Sequence, residues 1–245
     1  MISGPRWLPR YRDGERAVVW HELRQLGAAV RESPHAEEAQ AVCDEMAARA
    51  RHNVELLVAR LTADGYRFHV NDDAKTPDTP FVPAGPDSEA FLQWLEELAG
   101  PVPMALSSWI RIVGDVWLVG THPRWPDSAS GDPLCLDIEG LRYPGSDIRG
   151  YFADEHQQWR EDSRGEPYVL PVAPDWLHKE NTSGGAPYGF VLPDGCADAQ
   201  FVTAEPTSFV SYLNSVFEAG GFPRFSGDTR EYEVKYELRQ GMLAL

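Results

Sequence analysis

The chain has few cysteines and no long hydrophobic run. Its 245 residues include three cysteines, Cys43, Cys135 and Cys196, which are widely separated and form no CxxC pair. This spacing lacks the usual signals of a zinc site or a dithiol redox centre and is typical of a reducing compartment. No apolar run approaches membrane-spanning length, and charged residues occupy positions 6–16, where a signal peptide needs an apolar core. We therefore expect a cytoplasmic protein that does not bind a membrane.

Positive charge is scarce as well. The 22 Lys and Arg residues are outnumbered by 38 Asp and Glu residues, which gives a formal net charge of −16. Such a charge opposes approach to the phosphates of nucleic acids and to anionic lipid surfaces. We expect no nucleic-acid partner, whereas a basic protein partner is compatible with this charge. The sequence does not predict an oligomeric state.

The sequence contains none of the common cofactor or metal motifs. The diglycine Gly184–Gly185 belongs to neither GxxxxGK[ST] nor GxGxxG, and it precedes a predicted strand where a phosphate loop would open a helix. The many carboxylates show no calcium-loop or zinc-ligand spacing. We therefore expect no bound cofactor and no metal.

Apolar periodicity predicts an antiparallel helical hairpin at the N-terminus. A first helix over residues 17–31 is interrupted at Ser33–Pro34, and a second runs from 36 to about 63, before Gly65. The second helix carries one apolar stripe, formed by Cys43, Met46, Ala47, Ala50, Val54, Leu57 and Leu61. Because the break is so short, the two helices are expected to pack against each other.

Residues 100–120 give the clearest local pattern. Pro103 suits the first turn of a helix, Leu106, Trp109, Ile110 and Val113 follow at helical spacing, and Gly114 supplies a left-handed stop. A strand is predicted at 116–119. Another helix is expected to open at Asp87 or Ser88, with its apolar face at Phe91, Leu95 and Leu98, and to end at Gly100.

The second half of the chain is predicted to be rich in short strands. They cover residues 134–138, 168–172, 188–192 and 200–203, and a helix is expected over 207–219. Residues 151–160 are compatible with a solvated helix, and the tail alternates at Tyr232, Val234 and Tyr236. We expect an α+β fold with a mainly antiparallel sheet covered by helices. Residues 1–70 hold the helical hairpin and a short strand, 71–86 a proline-rich linker or loop, and 87–245 the α+β domain.

Two interpretations of function come from the polar segment at 174–188. An enzymatic one takes Asp175 to orient His178 as a base, with Ser183 as the nucleophile of a small hydrolase or transferase. The segment lacks the GxSxG elbow, and triads are assembled in space and not along one loop. In the other interpretation, Asn181 and Ser183 bond nearby backbone groups and His178 is a partner that fixes the loop, while the diglycine allows positive φ and Pro187 leads into the strand at Tyr188.

Binding residues are predicted on two further segments. His122 and Trp125 lie in a loop bounded by prolines; Trp is favoured at interface hot spots, whereas a Trp packed on proline is more often structural. The acidic run over 147–166 is either a solvated surface or a negative patch that binds a basic partner. With His178, Asn181 and Tyr188, the candidate binding residues are His122, Trp125, Asp147, Asp154, Glu155, Glu161 and Asp162.

The pattern of residues 103–114, followed by the strand at 116–119, resembles the SUKH superfamily, which includes fungal cell-wall-assembly regulators and many bacterial toxin-immunity proteins. The corresponding parts continue through 132–138, 168–172, 188–192 and the closing helix at 207–219, so the resemblance covers about residues 87–225. The N-terminal hairpin and the diglycine are departures from that layout. The chain also resembles a set of bacterial proteins with GTHPxW, HKxNxSGGxPY and GGFP segments, a likeness that implies no activity.

The SUKH resemblance implies a non-enzymatic protein-binding module, in the form of an immunity protein that neutralises a basic, nuclease-type toxin. The alternatives are the small hydrolase or transferase described above, and a structural or regulatory domain without a toxin partner.

Overall fold

The computed structural model describes residues 6–143, 145–163 and 165–245 and shows an α+β protein. The helices are α1 (Trp7–Arg12), α2 (Arg16–Leu26), α3 (Ala36–Ala63), α4 (Ser88–Ala99), α5 (Met104–Ile112), α6 (Ile148–Asp162), α7 (Trp176–Lys179), α8 (Phe209–Glu218) and α9 (Arg230–Leu238). The strands are β1 (Arg67–Phe68), β2 (Phe81–Pro83), β3 (Gly114–Trp117), β4 (Gly120–Thr121), β5 (Cys135–Leu136), β6 (Tyr168–Ala173), β7 (Tyr188–Leu192), β8 (Gln200–Val202) and β9 (Thr207–Ser208). Short 3-10 helices follow α2 (Gly27–Arg31) and β4 (Ser128–Gly131).

The strands form small antiparallel sheets. The largest has the order β6-β7-β8-β9, a second has the order β2-β3-β5, and β1 pairs with β4. In the largest sheet Phe190 lies opposite Leu170 on one side and Phe201 on the other. Both phenylalanines are buried and pack on Phe209 at the start of α8, which holds that helix against the sheet.

The N-terminal helical hairpin region is confirmed and α3 has the predicted bounds, but α3 packs less against α2 than against α1, a helix that the sequence did not predict. Every member of its apolar stripe is fully buried, where the stripe packs against α1 and α5. Asn53 of α3 is also buried, and its side chain exchanges two hydrogen bonds with the backbone of Leu243, near the end of the chain. The hairpin is thereby joined to both the centre and the C-terminus of the chain.

The α5–β3 unit confirms the predicted core role of Trp109. Its side chain is fully buried, its indole N–H donates to the carbonyl of Gly114 at 2.9 Å, and its ring packs edge-on against Phe209. Gly114 has φ +102, and a Cβ there would lie 2.3 Å from the carbonyl oxygen of Val82. The glycine both ends the helix and admits β2 beside β3.

Several predicted boundaries differ from the structure. Strand β3 begins at Gly114 and ends at Trp117, two residues before the predicted strand ends, because it pairs with β2 and β5. The proline-rich loop at 71–86 contains β2, which the sequence did not reveal. The alternating tail forms helix α9, in which Val234 and Leu238 point inward with helical spacing. None of the helices in the part of the chain that is described is long and apolar enough to cross a membrane.

Candidate functional site

Three segments that are far apart in sequence meet around Asp132. They are the loop at 120–125, the segment at 178–188 and the turn at 220–223. Asp132 adopts the left-handed conformation, with φ 60, directly after the 3-10 helix Ser128–Gly131. The backbone N–H of Leu134 donates to the carbonyl of Gly221, and that of Arg224 donates to the carbonyl of Gly131. These bonds fix the turn beside Asp132.

A buried ion pair joins the second of these segments to Asp132. The ammonium of Lys179 lies 2.5 Å from Oδ1 of Asp132, and the Lys179 side chain is fully buried. The hydroxyl of Tyr188 donates to Oδ2 of the same carboxylate at 3.1 Å. Burial, and then the Asp132 charge, raise the pKa of Tyr188 far above its ordinary value. Tyr188 therefore acts as a hydrogen-bond donor and not as an acid.

The loop at 120–125 is anchored by Trp125. Its ring is fully buried and packs edge-on against Phe222, and its indole N–H donates to Ser226 at 3.0 Å. His122 is also fully buried, and its Nδ1 accepts the backbone N–H of Arg124. Burial lowers the pKa of His122. Both side chains therefore hold the loop in place and do not form an outer surface.

A polar cavity of about 500 Å³ lies beside Lys179. His69, Asn71 and Asn181 line it, but His69 bonds Val70 and Thr121, Asn71 bonds the carbonyl of His178, and Asn181 bonds the carbonyl of Asp72 at 3.4 Å. These lining groups are thus engaged within the protein. Within 6–143, 145–163 and 165–245, no group of three or more His, Cys, Asp and Glu side chains is placed to hold a metal ion.

The structure brings Asp175 and His178 together. Nδ1–H of His178 donates to Oδ1 of Asp175 at 2.7 Å, and the same oxygen accepts the backbone N–H of His178. The other carboxylate oxygen accepts the backbone N–H of Gly185. Asp175 thus caps α7 and fixes the position of the diglycine. Burial alone would raise the pKa of Asp175, but its hydrogen bonds with the backbone and with His178 lower that pKa overall. Ser183 lies on the exposed loop, with no hydrogen bond to His178 or Asp175 among the described contacts.

An acidic face is formed by α4 and α6, which are in contact. Helix α4 contains no basic residue, and α6 contains Arg149 and Arg160. The guanidinium of Arg149 lies over the rings of Phe91 and Trp94, at 5.8 and 5.4 Å from their centroids. The carboxylates of the acidic face are Asp87, Glu89, Glu96, Glu97, Asp147, Asp154, Glu155, Glu161 and Asp162.

The carboxylates of α6 differ in their partners from two prominent carboxylates of the N-terminal hairpin. On the hairpin, Glu22 pairs with Arg10, and Glu45 is bound by both Arg12 and Arg49. On α6, Asp147 caps the backbone N–H of Gly150, and no acidic side chain forms an ion pair with any basic residue that the structure describes. The negative charge of α6 is therefore left open to solvent.

A groove of about 390 Å³ runs beside α6 and has a mainly apolar lining. Ile148, Tyr151 and Phe152 of α6 form one wall. Trp117, Asp137 and the prolines Pro171, Pro174 and Pro187 contribute to the remainder, and His178 lies at its edge. Sequence reasoning did not predict the groove, because strand pairing and the fold of the 171–187 region bring its walls together.

A buried charge cluster lies behind this groove. The guanidinium of Arg142 binds Asp78 at 2.7 Å and Asp137 at 2.9 Å, and it stacks on the ring of Trp117 at 4.2 Å. Asp115 accepts backbone N–H groups of residues 138, 139 and 141. Burial, with the Asp137 charge second, raises the pKa of Asp115 to about 6. None of these four charged residues was identified from the sequence, since each is isolated along the chain.

The candidate binding residues therefore divide into two sets. His122, Trp125 and Tyr188 are buried, and they connect the segments around Asp132. The exposed or half-buried set consists of His178, Asn181, Asp147, Asp154, Glu155, Glu161 and Asp162. A partner can touch only the second set directly, and five of its seven members belong to α6 or its cap.

Comparison with known proteins adds no relative. No family model, no curated protein and no solved structure matches the chain.

Proposed function

We propose that this chain is a non-enzymatic protein-binding module whose acidic face binds a basic protein. The observation that carries the proposal is the contrast between Glu22 and Glu45 of the N-terminal hairpin, which are ion-paired, and the carboxylates of α6, which form no ion pair with any described residue. Charges at the rim of an interface steer encounter and select the sign of the partner. An acidic helix whose carboxylates form no ion pair with the basic residues that the structure describes is suited to that role.

The concrete form of the partner comes from the SUKH resemblance. Immunity proteins of that superfamily suggest a nuclease-type toxin, whose substrate-binding cleft carries positive charge because it must bind phosphates. The acidic face would cover such a cleft and exclude the nucleic acid. The net charge of −16 supports this assignment.

The proposal is tested with the gene that neighbours this one. If that gene encodes a basic, growth-inhibiting protein, co-expression of the present chain should restore growth and the two proteins should form a stable complex. Glu161→Lys combined with Asp162→Lys should weaken both effects. The matched control is Glu32→Lys with Glu37→Lys, which makes the same charge change at exposed positions of the N-terminal hairpin. A neighbour that is acidic, or equal loss of rescue in both double variants, would contradict the proposal.

The hydrolase alternative rests on the Asp175–His178 pair. A His178→Gln variant with unchanged stability that loses a measured hydrolytic activity would support that alternative. In the structure the Asp175 carboxylate accepts three hydrogen bonds from its own segment. This arrangement supports the loop-fixing interpretation, in which the pair keeps α7 and the diglycine in place.

A further inference from the structure

The groove beside α6 combines apolar walls with one carboxylate that has an unused oxygen. Oδ2 of Asp137 accepts two hydrogen bonds from Arg142, at 2.9 and 3.2 Å. Oδ1 is buried and accepts no hydrogen bond from any residue of the described ranges. Oδ1 itself has almost no accessible surface, so a donor in the groove meets the accessible fifth of the Asp137 side chain and reaches Oδ1 only when that side chain turns. Pairing of Oδ1 would recover the free energy that a buried acceptor without a partner costs.

The charges around Asp137 favour a cationic donor. The single guanidinium of Arg142 is shared by Asp78 and Asp137, and Asp115 adds a third carboxylate close by. The three backbone N–H groups that bind Asp115 are dipoles and do not supply a full counter-charge. One positive charge therefore lies among three negative charges, and a second cation would reduce the repulsion among the three carboxylates.

The groove walls favour arginine over a small cation. Tyr151 is 47% exposed and lines the groove, so its ring is available to a guanidinium. Burial raises the pKa of Tyr151, and the charge of Glu155 adds to that rise, which places this carboxylate near the ring. Prolines and Phe152 provide apolar surface for the methylene stem of a long side chain. The planar, multidentate guanidinium can bind a carboxylate and stack on an aromatic ring together.

We propose that this groove receives an arginine side chain of the basic partner, which pairs with the Asp137 carboxylate and lies along Tyr151. The inference rests on the proposed function, because the groove adjoins α6 of the acidic face. Arginine is enriched at interface hot spots, where it fills a desolvated pocket surrounded by weaker contacts. The groove thus provides an anchor, whereas the open carboxylates of α6 provide attraction at longer range.

The test uses the peptide acetyl-Gly-Arg-Gly-amide as the probe and its citrulline analogue as the control. Citrulline has nearly the same shape without the charge. In a titration followed by backbone and indole NMR signals, the arginine peptide should shift signals of residues 117, 137 and 151 with a Kd of roughly 1–10 mM, a range suited to a single side chain. The citrulline peptide should not give saturable shifts. Equal shifts with both peptides, or shifts confined to other surfaces, would overturn the inference.

Variants then separate the anchor from the acidic face. Asp137→Asn should abolish the arginine-specific shifts, and Glu37→Gln, an exposed change on the N-terminal hairpin, should leave them. Because Asp137 also binds Arg142, Tyr151→Ala serves as a second variant, and about threefold to tenfold weaker binding is expected. If Asp137→Asn and Tyr151→Ala both bind the arginine peptide as tightly as the wild type does, the proposed arginine site is wrong. Slower partner association in the Glu161→Lys, Asp162→Lys protein would still support the acidic face in that case.

Discussion

Loss of the Lys179 charge should destabilise the protein strongly. In Lys179→Met the buried carboxylate of Asp132 loses its cation and keeps only the Tyr188 hydroxyl as a donor. Removing one member of a buried pair typically costs about 3–5 kcal/mol, because the remaining charge stays desolvated without compensation. The same carboxylate links the segments at 120–134 and 178–188, so no nearby side chain can easily replace the lysine.

A double-mutant cycle separates this electrostatic effect from lost packing. Asp132→Asn is a suitable partner variant, since asparagine tolerates the left-handed conformation at φ 60. Each single variant leaves one buried charge, whereas the double variant leaves none. The double variant should therefore be more stable than the sum of the two losses predicts, by about 1–3 kcal/mol.

The assay is urea unfolding followed by tryptophan fluorescence and far-UV circular dichroism, with the free energy of unfolding taken from each transition. Unchanged m-values would show that the variants unfold from a comparable native state. Losses below about 1 kcal/mol in both single variants, or additivity within about 0.5 kcal/mol, would refute a buried and coupled ion pair.

Other predictions follow from single residues. Trp109→Ala should lower the free energy of unfolding by about 3–5 kcal/mol, since a fully buried ring is removed, and an unchanged melting temperature would be inconsistent with its core position. Burial raises the pKa of Glu139 to about 7, so the folded protein keeps this carboxyl protonated at pH values where the unfolded chain has already lost the proton. The stability that this difference contributes is lost as pH rises from 4.5 to about 7. The stability of the wild type relative to Glu139→Gln should fall by about 1–3 kcal/mol over that range in parallel denaturation curves, and parallel pH profiles would disprove the shift. His178→Ala should speed proteolytic cleavage within residues 182–187, because Asp175 loses its imidazole donor; cleavage at the wild-type rate would argue against the loop-fixing role.

Most helices were predictable because their signals are local. Residues 36–63 show one apolar stripe bounded by a break and a glycine, and the structure has this helix with the same bounds. The helix over 103–113 was found in the same way, from Pro103, the stripe and Gly114. Helix α9 gave no such signal, because only Val234 and Leu238 of its apolar residues point inward, while Tyr232 and Tyr236 remain exposed.

The candidate sites were less predictable because they depend on contacts distant in sequence. The sequence marked the 120–125, 178–188 and 220–223 segments separately, but not their meeting around Asp132. The groove beside α6 was also missed, since Asp137 and Tyr151 lie on different elements and Asp137 is distinguished only by the oxygen that Arg142 leaves unused. The abundance of carboxylates on α6 was predictable from the composition. Their lack of described ion-pair partners, in contrast to Glu22 and Glu45 of the hairpin, required the structure.

The central claim, that the acidic face binds a basic protein, is tested most directly by association kinetics with an inactivated form of the basic neighbour-encoded protein. The association rate constant should fall steeply as salt rises from about 50 to 300 mM, because screening shortens the reach of the charges. Glu161→Lys with Asp162→Lys should lower that rate constant at low salt more than it raises the dissociation rate constant, whereas Glu32→Lys with Glu37→Lys should have a much smaller effect. An association rate constant that is unaffected by salt and unchanged in the first double variant would contradict the claim.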